Sequence, residues 1–150
     1  MYRDLLFLNT FVIIFFKIIY ISVKEEPNLP GTIYTVADEI ESKGVKAFPI
    51  QVDVRDEKRC TALVDETVKN LGSVDILINN ASALWWASIE ETPINKYDLI
   101  TSINARGTFA VTQAALKQMR EQGTGGHVIM QSPPIVLDKL AGMTGLIVIY

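Results

Sequence analysis

Asn79-Asn80-Ala81-Ser82 follow directly on Val74-Asp75-Ile76-Leu77-Ile78, and chemistry is first suggested at that junction. Four apolar residues in five, with no polar alternation, read as a short strand buried on both faces, as in a parallel sheet. Ligands of open α/β sheets collect beyond the carboxyl ends of the strands, and Ala81 and Ser82 are small enough to let backbone approach a flat cofactor closely. Two amides after a strand are also ordinary turn chemistry, so both readings stand at this point. Other reactive residue types are sparse. Cys60 is the single cysteine, which rules out an intrachain disulfide or a cysteine-cluster metal site and suits a reducing compartment. His127 is also single, and its place at the head of an apolar run reads as a strand edge rather than a ligand or base.

The elements that must position this junction follow from hydrophobic period and breakers. The 150 residues, about half of them hydrophobic, fit one domain of ordinary size. A net charge of -3 with no run of Lys or Arg argues against a nucleic-acid partner. Residues 5–23 form an apolar run interrupted by Asn9, Thr10 and Lys17. It is barely long enough to span a bilayer, and Lys17 would cost ~2.5–3.5 kcal/mol at a helix centre, less toward one end. A membrane segment, a buried strand and an aberrant terminus are the alternatives, and a signal peptide fits poorly. Residues 24–31 are loop, by two prolines and a glycine.

Residues 32–43 then read as a helix with Ile33, Val36, Ala37 and Ile40 on one face and Gly44 as its stop. Residues 47–54 read as a strand, demoted toward an edge by Pro49. A second helix over residues 56–70 buries Cys60, Leu63, Val64, Val68 and Leu71 and ends at Gly72. After the loop carrying Trp85 and Trp86, Thr92 caps and Pro93 opens a helical region reaching Gln122, with Gly107, Ala110 and Ala114 on a thin face. His127 to Met130 is the last strand, and residues 135–150 are an apolar tail. Helix and strand in this alternation imply right-handed crossovers and a doubly wound, three-layer α/β fold with a parallel sheet.

Asp53-Val54, Asn79-Asn80-Ala81-Ser82, Asn104-Ala105-Arg106-Gly107 and Ser132 stand in an order that resembles the short-chain dehydrogenase/reductase family, most closely its hydroxysteroid dehydrogenase-like subgroup. The stretches L-P-G-T-I-Y-T-V-A-D-E-I-E, V-D-V-R-D-E, V-D-I-L-I-N-N-A-S-A and N-A-R-G-T carry the resemblance across residues 24–134. It implies an incomplete Rossmann-like sheet and an NAD(P)-dependent oxidoreductase moving a hydride between nicotinamide and a small-molecule carbonyl or alcohol. By that resemblance Asp53 would bond the adenine amine and Val54 flank the ring, where the plain alternative for Asp53 is a helix-entry aspartate. Asn79 would brace the sheet while Asn80, Ala81 and Ser82 line the cofactor groove. Asn104 would interrupt the long helix and hold a water in the proton relay, and a mid-helix Asn is otherwise unfavourable. Ser132 is a weaker catalytic candidate, at or one place before the substrate-orienting serine.

The departures are as informative. The family's phosphate cradle is a glycine-rich turn at a helix N-terminus, and no glycine precedes Gly31. Residues 18–24 could match the family's second strand, leaving residues 1–17 for the first strand and helix; loss of the central first strand would leave a hole in the sheet. No Tyr-x-x-x-Lys follows Ser132, and Tyr150 ends the sequence. A tyrosine without that lysine keeps a pKa near ~10 and is a poor base at neutral pH. The chain is therefore expected to bind NAD(P) weakly and to have little activity by itself. The alternatives are a non-catalytic homodimer built on the helix at residues 107–119 and a remnant tethered to membrane by residues 5–23. Trp85 and Trp86 either border a lipid-like substrate or pack under their loop. Peroxisome or mitochondrion is implied by resemblance alone, with no carboxyl-terminal peroxisomal tripeptide or clear presequence.

Overall fold

The computed structural model describes residues 13–15, 32–83, 85 and 87–131, the first of these as backbone only. In chain order the elements are strand β1 (Ile13–Phe15), helices α1 (Ile33–Glu41) and α2 (Glu57–Leu71), strand β2 (Ile76–Asn79), helix α3 (Ile94–Thr101), a π-helical segment (Ser102–Gly107), helix α4 (Thr108–Glu121) and strand β3 (His127–Met130). The strands form one sheet in the order β1-β2-β3. Both pairings are parallel, with Leu77 opposite Ile14 on one side and Val128 on the other. The apolar run ahead of Asn79-Asn80 is thus central among the described strands. A parallel neighbour cannot follow through a tight hairpin, and the α3 to α4 region supplies the crossover.

Local chemistry sets the helix ends. Thr32 caps α1, its hydroxyl accepting from the backbone N–H of Tyr34 (3.2 Å) and Thr35 (3.1 Å), while the Thr35 hydroxyl accepts from Thr32 N–H at 2.6 Å. Asp56 caps α2 by accepting from the N–H groups of Lys58 and Arg59. Gly72 ends α2 with φ 100°, a conformation that costs glycine little.

Helices α2 and α4 pack against each other, and α4 lies on β2. Cys60, Leu63 and Val64 from α2, Val111, Ala115 and Met119 from α4, and Leu77 from β2 are buried together. Buried alanines at positions 110 and 115 keep α4 close to its neighbours; of the expected thin face Gly107 and Ala110 are buried, while Ala114 is only half-buried. Gln122 fastens the far end of α4 to the start of the central strand, its Oε1 accepting from Val74 N–H (3.2 Å) and its Nε2 donating to the Val74 carbonyl (2.9 Å). That clamp satisfies backbone groups just outside the ladder.

Three expectations are corrected. Residues 47–54 form no strand. They run extended, with Val54 buried and Ile50 and Val52 packed on the core while Gln51 and Asp53 face out, but they pair with no described strand. The period of two is present; the ladder is not, and Pro49 has no N–H to give one. Thr92 does not cap α3. Its hydroxyl donates to the Ser88 carbonyl at 2.7 Å, and Pro93 occupies the cap position without a side-chain bond. Val36 is 47% exposed rather than part of the inner face of α1, which rests on Ala37. Beside the central strand, where loss of a first strand would leave a hole, β1 lies in parallel register. Outside the described residues fall the rest of the apolar run at 5–23, the loop at 24–31, Trp86, Ser132, Tyr150 and the tail at 135–150. Among the described residues no helix is long and apolar enough to cross a membrane.

Candidate functional site

The π-helical segment Ser102–Gly107 holds two loops at once. Asn104 turns its side-chain amide onto the loop after β2, its Oδ1 accepting from Ala83 N–H at 2.8 Å and its Nδ2 donating to the Ala83 carbonyl at 3.1 Å. Two residues on, Arg106 donates from Nη1 to the Arg55 carbonyl at 2.8 Å and lies 3.6 Å from the Glu57 carboxylate. Next along, Gly107 presses on Val54 so closely that an added Cβ would sit 2.4 Å from Val54 Cγ2 and 3.2 Å from the Val54 carbonyl oxygen. Six consecutive residues therefore fasten the turn at 53–55 and the loop at 80–83 to one helix. A widened turn of the i→i+5 kind is rare and recurs at functional sites, where it frees or redirects backbone groups.

On the strand side, Asn79 is 7% exposed and braces the sheet. Its Nδ2 donates to the Thr112 hydroxyl of α4 at 3.0 Å and to the Met130 sulfur of β3 at 3.2 Å, while its backbone carbonyl accepts from Gln131 N–H. Asn80 and Ala81 are half-buried and Ser82 is exposed. These small residues therefore sit at the open end of the central strand, as the alternation of elements requires of a ligand groove.

Asp53 carries the most organised polar contact. The Arg55 guanidinium grips its carboxylate, with Nε 2.9 Å from both Oδ1 and Oδ2 and Nη2 bonded to Oδ2, and Arg55 N–H donates to Oδ1 at 3.0 Å. Those Arg55 hydrogen bonds hold the Asp53 carboxyl below its ordinary value against the opposing pull of partial burial. The helix-entry role, the plain alternative for Asp53, belongs to Asp56 instead. Val54, by contrast, is 1% exposed, so its side chain has no open surface for a ring and only its backbone could face one. Beneath it Cys60 donates from Sγ to the Val54 carbonyl at 3.4 Å. Across the loop after β2, the Lys96 ammonium lies 4.6 Å from the centre of the Trp85 ring.

The structure thus brings Asp53, Val54, Asn79 to Ser82 and Asn104 into one constellation, while Ser132 lies outside the described residues. Arg55 and Arg106 are the residues that reading by motif passed over. Both stand inside the stretches V-D-V-R-D-E and N-A-R-G-T, and their signal was a cation two residues beyond an acid or an amide. Tyr-x-x-x-Lys spacing does occur at Tyr20 and Lys24, ahead of the other motifs and outside the described residues.

With this geometry in hand, comparison with known proteins defines the class. The family profile described as short chain dehydrogenase matches residues 27–144, and the chain belongs to that family of oxidoreductases. Hydroxysteroid dehydrogenase-like protein 2 of Bos taurus is 41% identical over 119 residues, covering 79% of this chain and 28% of that protein. The Danio rerio protein of the same name is 43% identical over 114 residues, covering 76% and 27%. The chain therefore spans little more than a quarter of the length of these relatives. Among solved structures, a short chain dehydrogenase from Mycobacterium thermoresistibile is 44% identical with a TM-score of 0.69, covering 79% of this chain and 42% of that one. An NAD+-bound xylitol dehydrogenase is 27% identical with a TM-score of 0.62, covering 68% and 42%.

An NAD(P) cofactor can be tested against the described residues. They fit its adenine end, with an exposed acceptor at Asp53 and small residues at Ala81 and Ser82. They do not supply its phosphate grip, since backbone approach there needs glycine and none precedes Gly31.

Proposed function

We propose that this chain carries the adenine-facing and helix-bearing middle of an NAD(P)-dependent oxidoreductase that moves a hydride between nicotinamide and a carbonyl or alcohol, and that by itself it turns over little substrate. The observation that carries this reading is the π-helical segment, which ties Asn104 to the loop after β2 and Arg106 and Gly107 to the turn at Asp53. Bound nicotinamide would supply the hydride. Asp53 would accept from the adenine amine, Asn80, Ala81 and Ser82 would line the groove, and Asn104 would keep loop and helix in register for a proton-relay water. An apolar, lipid-like substrate is favoured by Trp85, 36% exposed beside the groove loop. Location in peroxisome or mitochondrion accompanies the resemblance.

Grafting tests this directly. Residues 32–131 are exchanged for the matching segment of a full-length hydroxysteroid dehydrogenase-like relative, and NADH and NADPH binding and carbonyl turnover are measured. The reading expects the chimera to bind cofactor and turn over, and the 150-residue chain to show turnover at background. A folded chimera that binds neither dinucleotide would sink the reading, and brisk turnover by the chain alone would sink its second half.

A second reading, a non-catalytic homodimer, is favoured by one observation: Phe109 and Leu116 on α4 are 67% and 37% exposed. Sedimentation of the purified chain separates the two, since a dimer indifferent to nucleotide belongs to the second alone.

A further inference from the structure

Met130 of β3 places its sulfur at a joint of three elements. Its Sδ accepts from Asn79 Nδ2 at 3.2 Å, the same nitrogen donates to the Thr112 hydroxyl of α4 at 3.0 Å, and in the ladder Met130 stands opposite Asn79. Asn79 is 7% exposed, whereas Met130 is 55% exposed. An oxidisable atom open to water is therefore a partner of a nearly buried amide. We infer that Met130 is an oxidation site, at which hydrogen peroxide converts the thioether to the sulfoxide and so releases the brace that Asn79 makes between β2 and β3. The step requires no ligand in the groove.

Thioether and peroxide balance between themselves. A sulfur lone pair attacks one peroxide oxygen, the S–O bond forms as the O–O bond breaks, and the second oxygen leaves as water after taking a proton. Sulfur gives up two electrons and peroxide gains them. The product cannot keep the old contact. An N–H···O bond by itself needs about 2.9 Å between nitrogen and oxygen, so no oxygen fits between a nitrogen and a sulfur 3.2 Å apart. The sulfoxide is polar and its side chain already faces water, so the sulfur withdraws and Asn79 Nδ2 keeps the Thr112 hydroxyl alone. The change reaches further, because the Asn79 carbonyl accepts from Gln131 N–H at 2.9 Å and Asn80 to Ser82 follow directly.

Met119 is the other described methionine and supplies the contrast. It is 4% exposed and lies under Gly126, where an added Cβ would sit 2.6 Å from its sulfur. Peroxide reaches it only when the fold opens.

The test treats the whole 15N-labelled chain with hydrogen peroxide and reads three things: the mass of each methionine peptide after digestion, the Asn79 side-chain amide resonances, and hydrogen exchange at Gln131. Met130 gains one oxygen about tenfold or more faster than Met119, as its exposure requires. The Asn79 side-chain resonances then move and exchange at Gln131 accelerates about fivefold, the scale of one hydrogen bond. Treatment with methionine sulfoxide reductases for both epimers and a dithiol, which becomes a disulfide as the oxygen leaves as water, restores both readings. In Met130→Leu, which has neither the acceptor nor the oxidisable atom, peroxide changes neither reading. Oxidation of Met119 as fast as Met130 overturns the inference. So does a Met130 sulfoxide that leaves the Asn79 resonances in place or the Gln131 exchange unchanged or slower, and so does a peroxide response that survives in Met130→Leu.

Discussion

Cys60 lies fully buried under the turn that carries Asp53, its thiol donating to the Val54 carbonyl. Burial raises its pKa first, and the nearby Asp56 carboxylate adds to the rise. In the unfolded chain a thiol ionises near ~8.5. With the folded value higher, the contribution of the protonated thiol is fully present below the unfolded pKa and is lost as pH rises through the folded one. The stability difference between wild type and Cys60→Ala, measured by urea unfolding, should therefore hold constant from neutral pH to about 8 and shrink above ~8.5. Labelling by a thiol reagent at neutral pH should proceed only at the rate of opening. Immediate, stoichiometric labelling of the folded chain would refute the burial. Asp53 shows the opposite logic: it is a group whose partner, two residues away, keeps it charged.

At the scale of elements, what could be read from the sequence was what neighbours in sequence decide. The strand ending in Asn79, the stop at Gly72, the inward Cys60, Leu63 and Val64, and the thin face with Gly107 and Ala110 each follow from period, breaker or side-chain size, and each stands in the structure. What could not be read depends on partners far along the chain. Alternation at residues 47–54 was legible, whereas pairing was not, because a ladder needs a second strand. Thr92 had the right chemistry for a cap but met the Ser88 carbonyl first. An interruption at Asn104 was legible only through resemblance, and its π form follows from Ala83, Arg55 and Val54, all more than twenty residues away. Gly107 tests that account. Its φ of -64° suits any residue, so alanine there would fail for want of space rather than backbone freedom. Gly107→Ala should destabilise by ~1–3 kcal/mol, the usual cost of overpacking, read as a lower urea midpoint at unchanged slope. It should also shift the amides of Val54 and Arg55, whereas Gly44→Ala, with nothing near the added Cβ, should leave those amides in place. Wild-type stability of Gly107→Ala would mean that turn and helix do not press together as described.

For the whole molecule the question is what completes the sheet around its central strand. Strand β2 has parallel neighbours on both sides, but the two are unequal. On one side β3 is tied in by four paired residues, by Asn79 through Met130, and by the Gln122 clamp at the end of α4. On the other, β1 contributes three paired residues from inside the apolar run at 5–23. Burying a strand beside β2 and crossing a bilayer are competing fates for that run, since a parallel pairing with Ile76 to Ile78 places its backbone in the sheet. Deleting residues 1–23 decides between them. If β1 is a structural strand, the deletion exposes one edge of β2. Hydrogen exchange at residues 76–79 should then accelerate by tenfold or more, ~1.4 kcal/mol of lost protection, with aggregation through the bared edge. If the run is instead a tether, the truncated chain keeps full protection at 76–79 and loses only its dependence on detergent. Protection that stays complete after deletion would remove β1 from the fold and leave the segment to the membrane.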